Sequence, residues 1–358
     1  MNARSTARRL LAGLASLAVV GGCAAGASPS PAPASSSPAG NPSAAVATPS
    51  PTAMATTAPT PTPRPTPTVT VSNDIAYESA SPLLVLTVYA PARAGPWPVV
   101  VMLHAPGLGK EWLSEHAHKV ADLGFVVFVP TWGDPFDAGA PTYEGLLAVD
   151  ARAACAVAFA RTHAAEYGGD PATTIVFGHS GGAGLGAMVA FARPEPTASC
   201  LATAPLGGID ALITWEGDWI LSHKDIGWDR FLAADPRLLD AATPWKHLAE
   251  HKELKVVMLV SEHPGIDLGR KGSDPWAADS WLAVRDPSGD LRRQLKTNGA
   301  FDDGEFDAVD LQQLLFSVLK AQGNPVSLDV MPDSEHEYVR GGGWDVFLAA
   351  FGKAAARD

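Results

Sequence analysis

The 358-residue chain carries 38 acidic against 26 basic side chains, for a formal net charge of −12, and is 46% hydrophobic. That acidic balance argues against nucleic acid as a partner and against electrostatic docking on anionic lipid. Beyond a low-complexity N-terminal stretch, the remaining length suits one α/β domain with insertions, and no internal repeat is present in it.

At the N-terminus, Arg4, Arg8 and Arg9 precede the apolar run 10–20, which is followed by Gly21, Gly22 and Cys23. The run is too short for a comfortable bilayer span, and the small residues before Cys23 suit a peptidase, so residues 1–22 read as an export signal. Val20-Gly21-Gly22-Cys23 resembles the lipobox of bacterial lipoproteins, which implies lipidation at Cys23 and a membrane-attached, exported protein. An ordinary secretory signal cleaved nearby, or a short uncleaved anchor, is the competing reading, and the Arg8-Arg9 pair also admits twin-arginine export. Residues 23–72 then form a linker almost wholly of Ala, Ser, Thr, Pro and Gly, with Arg64 its one charge. Thr-Pro pairs over 59–68 favour extended backbone, so a semi-rigid tether without secondary structure is expected. The remaining cysteines, Cys155 and Cys200, are open to a disulfide in an oxidising compartment; two buried thiols acting as small apolar residues are the alternative.

The domain is expected over 73–358. An apolar strand at 83–89 and a Pro/Gly turn lead to the strand 99–104, apolar throughout as befits a central strand covered on both faces. Leu113, Ala117, Val120 and Ala121 mark a helix stopped by Gly124, and 125–129 is a further buried strand. A helix with Leu147, Ala151, Ala154 and Ala158 on one face precedes a β-branched strand from Thr174. Strand and helix alternating in this order predict an α/β class with a mostly parallel central sheet and helices on both faces. Further on, strands are expected at 201–205, 255–261 and 326–330, with helices over 307–321 and from Trp344. Residues 206–254, rich in tryptophan, read as a candidate cap or as helical decoration, and 262–301 as an insertion.

The Thr174 strand runs into Gly178-His179-Ser180-Gly181-Gly182, which fits G-x-S-x-G. Reversing from strand to helix within a few residues leaves no room for side chains beside the serine, hence the flanking glycines. Ser180 would project above the sheet, and the helix after it would aim its first N–H groups at an oxyanion formed there. A small-residue turn with a satisfied serine is the plainer reading. His116 and His118 are placed on a polar helix face, and no metal site or cofactor is expected.

These residues resemble the α/β-hydrolase family, particularly its dienelactone-hydrolase-like and carboxylesterase-like members, over most of 75–350. The resemblance rests on residues 98–107 leading to an oxyanion loop, 123–129 as the next strand, the elbow at 178–182, and His336 after the last strand. It implies an α/β-hydrolase fold, Ser180 as nucleophile and His336 as general base and acid. His104 and His179 are expected to shape the pocket. The chain departs from many relatives at Ala105-Pro106-Gly107, where Pro106 has no N–H to offer. A similar Pro-Gly followed by a donor residue in polyester hydrolases and platelet-activating-factor-acetylhydrolase-like enzymes implies Leu108 and Gly181 as the oxyanion amides. The third, acidic member is where the pattern fails: the family's Gly-x-x-Asp after the strand ending at Ser261 is absent. Asp303 is the favoured candidate by its spacing from Gly323, with Glu262, Asp267 and Asp302 as alternatives; each could instead serve a helix N-terminus.

The sequence therefore predicts a carboxylic ester hydrolase, a serine esterase working through an acyl-enzyme, on a small-molecule or polymeric ester. A peptidase or thioesterase with the same triad, and a catalytically silent surface-binding lipoprotein on the same fold, are the alternatives.

Overall fold

The computed structural model describes residues 68–133, 141–217, 235, 237–238, 241, 244, 247–265, 292–293, 296 and 308–356. The export signal, Cys23 and nearly all of the linker lie outside the described residues, as do Asp267, Asp302 and Asp303.

Eight strands form one sheet: β1 (Val69–Ala76), β2 (Val85–Pro91), β3 (Trp97–Leu103), β4 (Val126–Pro130), β5 (Gly169–His179), β6 (Ala211–Trp215), β7 (Lys255–His263) and β8 (Val326–Glu335). Their spatial order is β1-β2-β4-β3-β5-β6-β7-β8. Only the pairings β1 with β2 and β2 with β4 are antiparallel; the other five are parallel. The crossovers carry α1 (Ser114–Leu123), α2 (Tyr143–His163), α3 (Gly181–Ala187, continued by a π-helical turn, Met188–Ala192) and α4 (Ala308–Gln322). A last helix, α5 (Gly343–Ala355), follows β8.

The two faces of the sheet bury different side chains of the same strands, because strand residues alternate sides. Val99, Val101, Leu103, Val176 and Leu212 pack with residues of α2, α3 and α4, whereas Val100, Met102, Ile175, Phe177 and Ile213 pack with α1 and α5. Both sets are fully buried, so the middle strands read as unbroken apolar runs.

Three expectations are corrected. The domain begins with β1 at Val69, four residues earlier than read, because Thr70, Val71 and Ser72 pair with Ala90, Tyr89 and Val88 at the sheet edge. The strand after α3 is Ala211–Trp215; residues 201–210 hold no regular element, so the opening of the tryptophan-rich segment is core sheet and not cap. His116 is 6% exposed, on the inner side of α1, because Trp112, Trp344 and Phe347 from neighbouring elements close over it. Of the two readings of the cysteines, the bonded one holds: Cys155 on α2 is joined to Cys200, tying that helix to the stretch that bridges to Glu78.

Candidate active site

All parallel strands of this sheet end on one edge, and three of those ends carry the candidate site. β5 ends at His179, and Ser180 follows with φ 54° and ψ −124°, a backbone conformation that only a closely packed surround sustains. That surround is built from glycine. A Cβ on Gly178 would lie 2.2 Å from the Gly182 carbonyl oxygen, and one on Gly182 would lie 2.3 Å from the His104 carbonyl oxygen. The elbow is therefore as tight as the motif requires, and Ser180 stays half-buried at the sheet edge.

His179 pairs with Trp215 across β5 and β6, so Ser180 and the residue after Trp215 emerge side by side. That residue is Glu216. Its N–H donates to the Leu259 carbonyl at 3.0 Å while Ser180 N–H donates to the Trp215 carbonyl at 2.9 Å, which prolongs the ladder beyond the last paired residues. At φ 49° the Glu216 backbone turns and sends its side chain across the end of β7. The carboxylate is completely buried, and both oxygens are used: Oε1 accepts the Ser261 N–H at 2.5 Å, and Oε2 accepts from Nδ1 of His336. A buried carboxylate only accepts here, so Nδ1 carries the proton and Nε2 of His336 is left as a base.

His336 follows β8 directly, with its side chain 17% exposed. Ser261 supports the pair from beneath, since its hydroxyl accepts from Trp215 Nε1 at 3.0 Å and donates to the Glu335 carbonyl at 2.9 Å. On the other side of His336 lies His179. Its ring is stacked on Trp112 at 4.5 Å and tilted against Trp215 at 4.4 Å, and its Nε2–H donates to the His336 carbonyl at 2.7 Å. Burial, then the neighbouring His336, hold the pKa of His179 well below the usual histidine range. Burial likewise lowers that of His116, to about 4.

Among the described residues, the carboxylate on His336 Nδ1 is thus Glu216, a residue the sequence reading did not single out. Glu262, at the end of β7, points away and accepts the Asp333 N–H at 2.9 Å. Asp303, Asp302 and Asp267 fall outside the described residues. Glu216 was legible in one respect only: Ala211-Leu-Ile-Thr-Trp is a short apolar run that stops at Glu216-Gly217, the pattern of a strand delivering a carboxylate to a sheet edge.

The expected oxyanion amides part company. Gly181 is the first residue of α3, where an N–H has no intrahelical acceptor. A Cβ on it would lie 2.6 Å from Cδ of Pro106, so the Ala105–Leu108 turn is seated directly against the elbow. Leu108, however, donates its N–H to the Ala105 carbonyl at 3.1 Å. With Pro106 second and Gly107 third at φ 75°, this is the turn that proline-glycine favours, and its closing bond takes the Leu108 amide. His104 lies beside this turn, Nδ1 against the Ala105 carbonyl at 2.8 Å and ring stacked on Trp132.

No protein-family model matches the sequence, and no curated protein matches it. Solved structures do match in fold. Esterase 2 of the planctomycete Thermogutta terrifontis, in its apo form, has a TM-score of 0.52 at 17% identity, over 80% of this chain and 93% of that one. The same esterase with propionate bound gives 0.52 at 16% identity, and its paraoxon-phosphorylated form 0.51 at 16%, over the same shares. The chain has the α/β-hydrolase fold.

Proposed function

We propose that this protein is a serine hydrolase that cleaves carboxylic esters through an acyl-enzyme. The observation that carries the proposal is the pairing of His336 with the buried Glu216 at the sheet edge that also presents Ser180 on its strained elbow. In this reading Ser180 Oγ attacks the ester carbonyl while Nε2 of His336 takes its proton. Glu216 keeps the proton on Nδ1 and stabilises the imidazolium that forms. The Gly181 N–H is the amide placed to receive charge building on the carbonyl oxygen. His336 then returns the proton to the leaving alcohol, and water repeats the sequence to release the acid. The Thermogutta esterase has been solved with propionate and with butyrate, so short acyl esters are the first substrates to try.

The Cys155–Cys200 bond supports export, because disulfides persist outside the reducing cytosol. Together with the sequence before Cys23, it supports a mature protein acylated at that cysteine and held to a membrane through the linker. Recovery of the wild type in the soluble fraction, with an N-terminus upstream of residue 23, would exclude this arrangement.

The test of the chemistry is fluorophosphonate labelling, which needs an activated serine, alongside turnover of p-nitrophenyl butyrate. Ser180→Ala and His336→Ala should each remove labelling or turnover by about a thousandfold or more, with the double variant little worse than either alone. Full turnover in Ser180→Ala would refute the assignment. A wild type that neither labels nor cleaves any ester would favour the silent binding lipoprotein, and selective cleavage of amides or thioesters would favour the peptidase or thioesterase.

A further inference from the structure

His179 occupies the variable second position of the elbow motif, where strand alternation turns it away from Ser180 and toward the α1 and α5 face. Its side chain is nevertheless tied to the site. It is 1% exposed, its ring sits among Trp112, Trp215 and the His336 ring at centroid distances of 4.5, 4.4 and 4.7 Å, and its Nε2–H reaches the His336 backbone carbonyl at 2.7 Å. Nδ1 has no partner among the described residues. A carbonyl only accepts, so the neutral ring carries its one proton on Nε2.

We propose that His179 is a positioning residue for the general base, fixing the His336 main chain through this bond while Glu216 fixes the ring. The proposal rests on the reading of His336 as base. The bond between Nδ1 and Glu216 is one anchor, about which the imidazole and the chain carrying it can still pivot. His336 stands at the start of the connection from β8 to α5, where the Glu335–Tyr338 backbone pair, the Ser261–Glu335 contact and the Arg340 N–H bond to Ser334 Oγ hold its chain neighbours and not His336 itself. The His179 bond is a second anchor on the same residue, made to β5, the strand that ends in Ser180. Nucleophile and base are thereby referenced to one rigid element. Displacement of a reacting group by about 1 Å costs on the order of a hundredfold in rate, so the anchor acts on turnover and not on binding. The aromatic rings packed around His179, itself 1% exposed, keep out water that would compete for the carbonyl.

The test compares His179→Phe, His179→Gln and His179→Asn with wild type, using p-nitrophenyl butyrate and thermal melting. Phe keeps the ring stack and removes the donor, and kcat should fall about thirtyfold to a hundredfold with KM within about twofold. The Gln amide reaches the place of Nε2 and should recover kcat to within about fivefold of wild type, whereas the shorter Asn should not. This rescue by length separates positioning from packing, and the Gln and Asn pair decides it even if the Phe variant fails to fold. Equal kcat in Gln and Asn, a loss confined to KM, or a folded Phe variant within about twofold of wild type would overturn the proposal. A second readout does not need turnover: the low-field Nδ1 proton of His336 should exchange faster with solvent in the Asn variant than in wild type and Gln. If wild type shows that proton but no esterase activity, the hydrolase reading fails while this measurement still reports on the anchor. Unchanged exchange in Asn would sink the anchor.

Discussion

The replacement of Glu216 by glutamine isolates the contribution of the buried carboxylate, because it keeps the shape and changes one acceptor into a donor. The side chain is wholly enclosed and both oxygens accept, one from the Ser261 N–H at 2.5 Å and one from His336 Nδ1. An amide offers a single acceptor oxygen. Ser261 N–H belongs to the backbone of β7 and cannot move away, so the amide oxygen is drawn to it and the NH2 group faces the imidazole. His336 must then present a bare Nδ1, which puts its proton on Nε2, the atom that should accept from Ser180. The same change of carboxylate to amide in serine proteases costs about ten-thousandfold in turnover, and the same tautomer argument governs it. That is about 5 kcal/mol at 1.36 kcal/mol per decade. Glu216→Gln should therefore lower kcat on p-nitrophenyl butyrate by a thousandfold to ten-thousandfold, with KM little changed. The opposite amide orientation sets two donors against each other and costs about 1–3 kcal/mol of stability instead, so thermal melting should accompany the kinetics. Asp303→Ala and Glu262→Gln are the controls, and each should keep kcat within about threefold. A Glu216→Gln enzyme that retains kcat within tenfold, with Asp303→Ala inactive, would refute the reasoning.

Two further outcomes concern the domain as a whole. The Cys155–Cys200 bond closes a separation of 45 residues, for which loop entropy amounts to about 4 kcal/mol, so Cys155→Ser with Cys200→Ser should lower the melting temperature by about ten degrees. Identical melting of the double variant and wild type, with and without reductant, would contradict it. His116 is buried with its pKa lowered from 6.5 to about 4, so the unfolded chain takes up a proton that the folded one refuses. The stability it contributes is complete above pH 6.5 and is lost as pH falls toward 4, by about 3 kcal/mol, with His179 acting in the same direction. His116→Phe should flatten the urea-unfolding free energy against pH across that window; an unchanged slope would count against the burial argument.

The parts of the site that were legible in the sequence are those made by a single local rule. Ser180 announces itself because a strand buried on both faces runs into glycines whose Cβ atoms would collide with the backbone. His336 follows the last strand of the sheet, a position that chain order alone supplies. Glu216 depends on a non-local fact, the register of β6 against β5, and the strand itself was hidden: five residues long, and placed just after a stretch, 201–205, of similar composition. For the amide of Leu108 the converse holds. A local rule, the turn favoured by Pro106-Gly107, decides its partner, and that rule overrides the position suggested by resemblance. His116 was placed on a polar face because helical periodicity records only the neighbours within α1, while the rings that bury it come from the segment before that helix and from α5.

The proposed place of the acid at the end of β6, and not at the end of β7 where the resemblance puts it, has a steric logic. Strands two apart in a sheet are separated by roughly 9–10 Å, so a carboxylate on β6 must cross the end of β7 to reach a histidine on β8. Glutamate is the longer of the two acidic side chains, and the crossing is supported midway, where the Ser261 N–H of β7 holds Oε1. Ser261 continues the bridge, its hydroxyl donating to the Glu335 carbonyl one residue before His336. An aspartate at 216 would fall short by one methylene and would have to give up either Ser261 or His336. Glu262, which stands one strand closer, is no substitute, because its carboxylate is taken by the Asp333 N–H of β8. The length of the side chain and the polarity of Ser261 are thus parts of one arrangement. Glu216→Asp should lose more activity than the conservation of charge suggests, and kcat in Glu216→Asp equal to wild type would mean that the carboxylate does not act by reaching across β7.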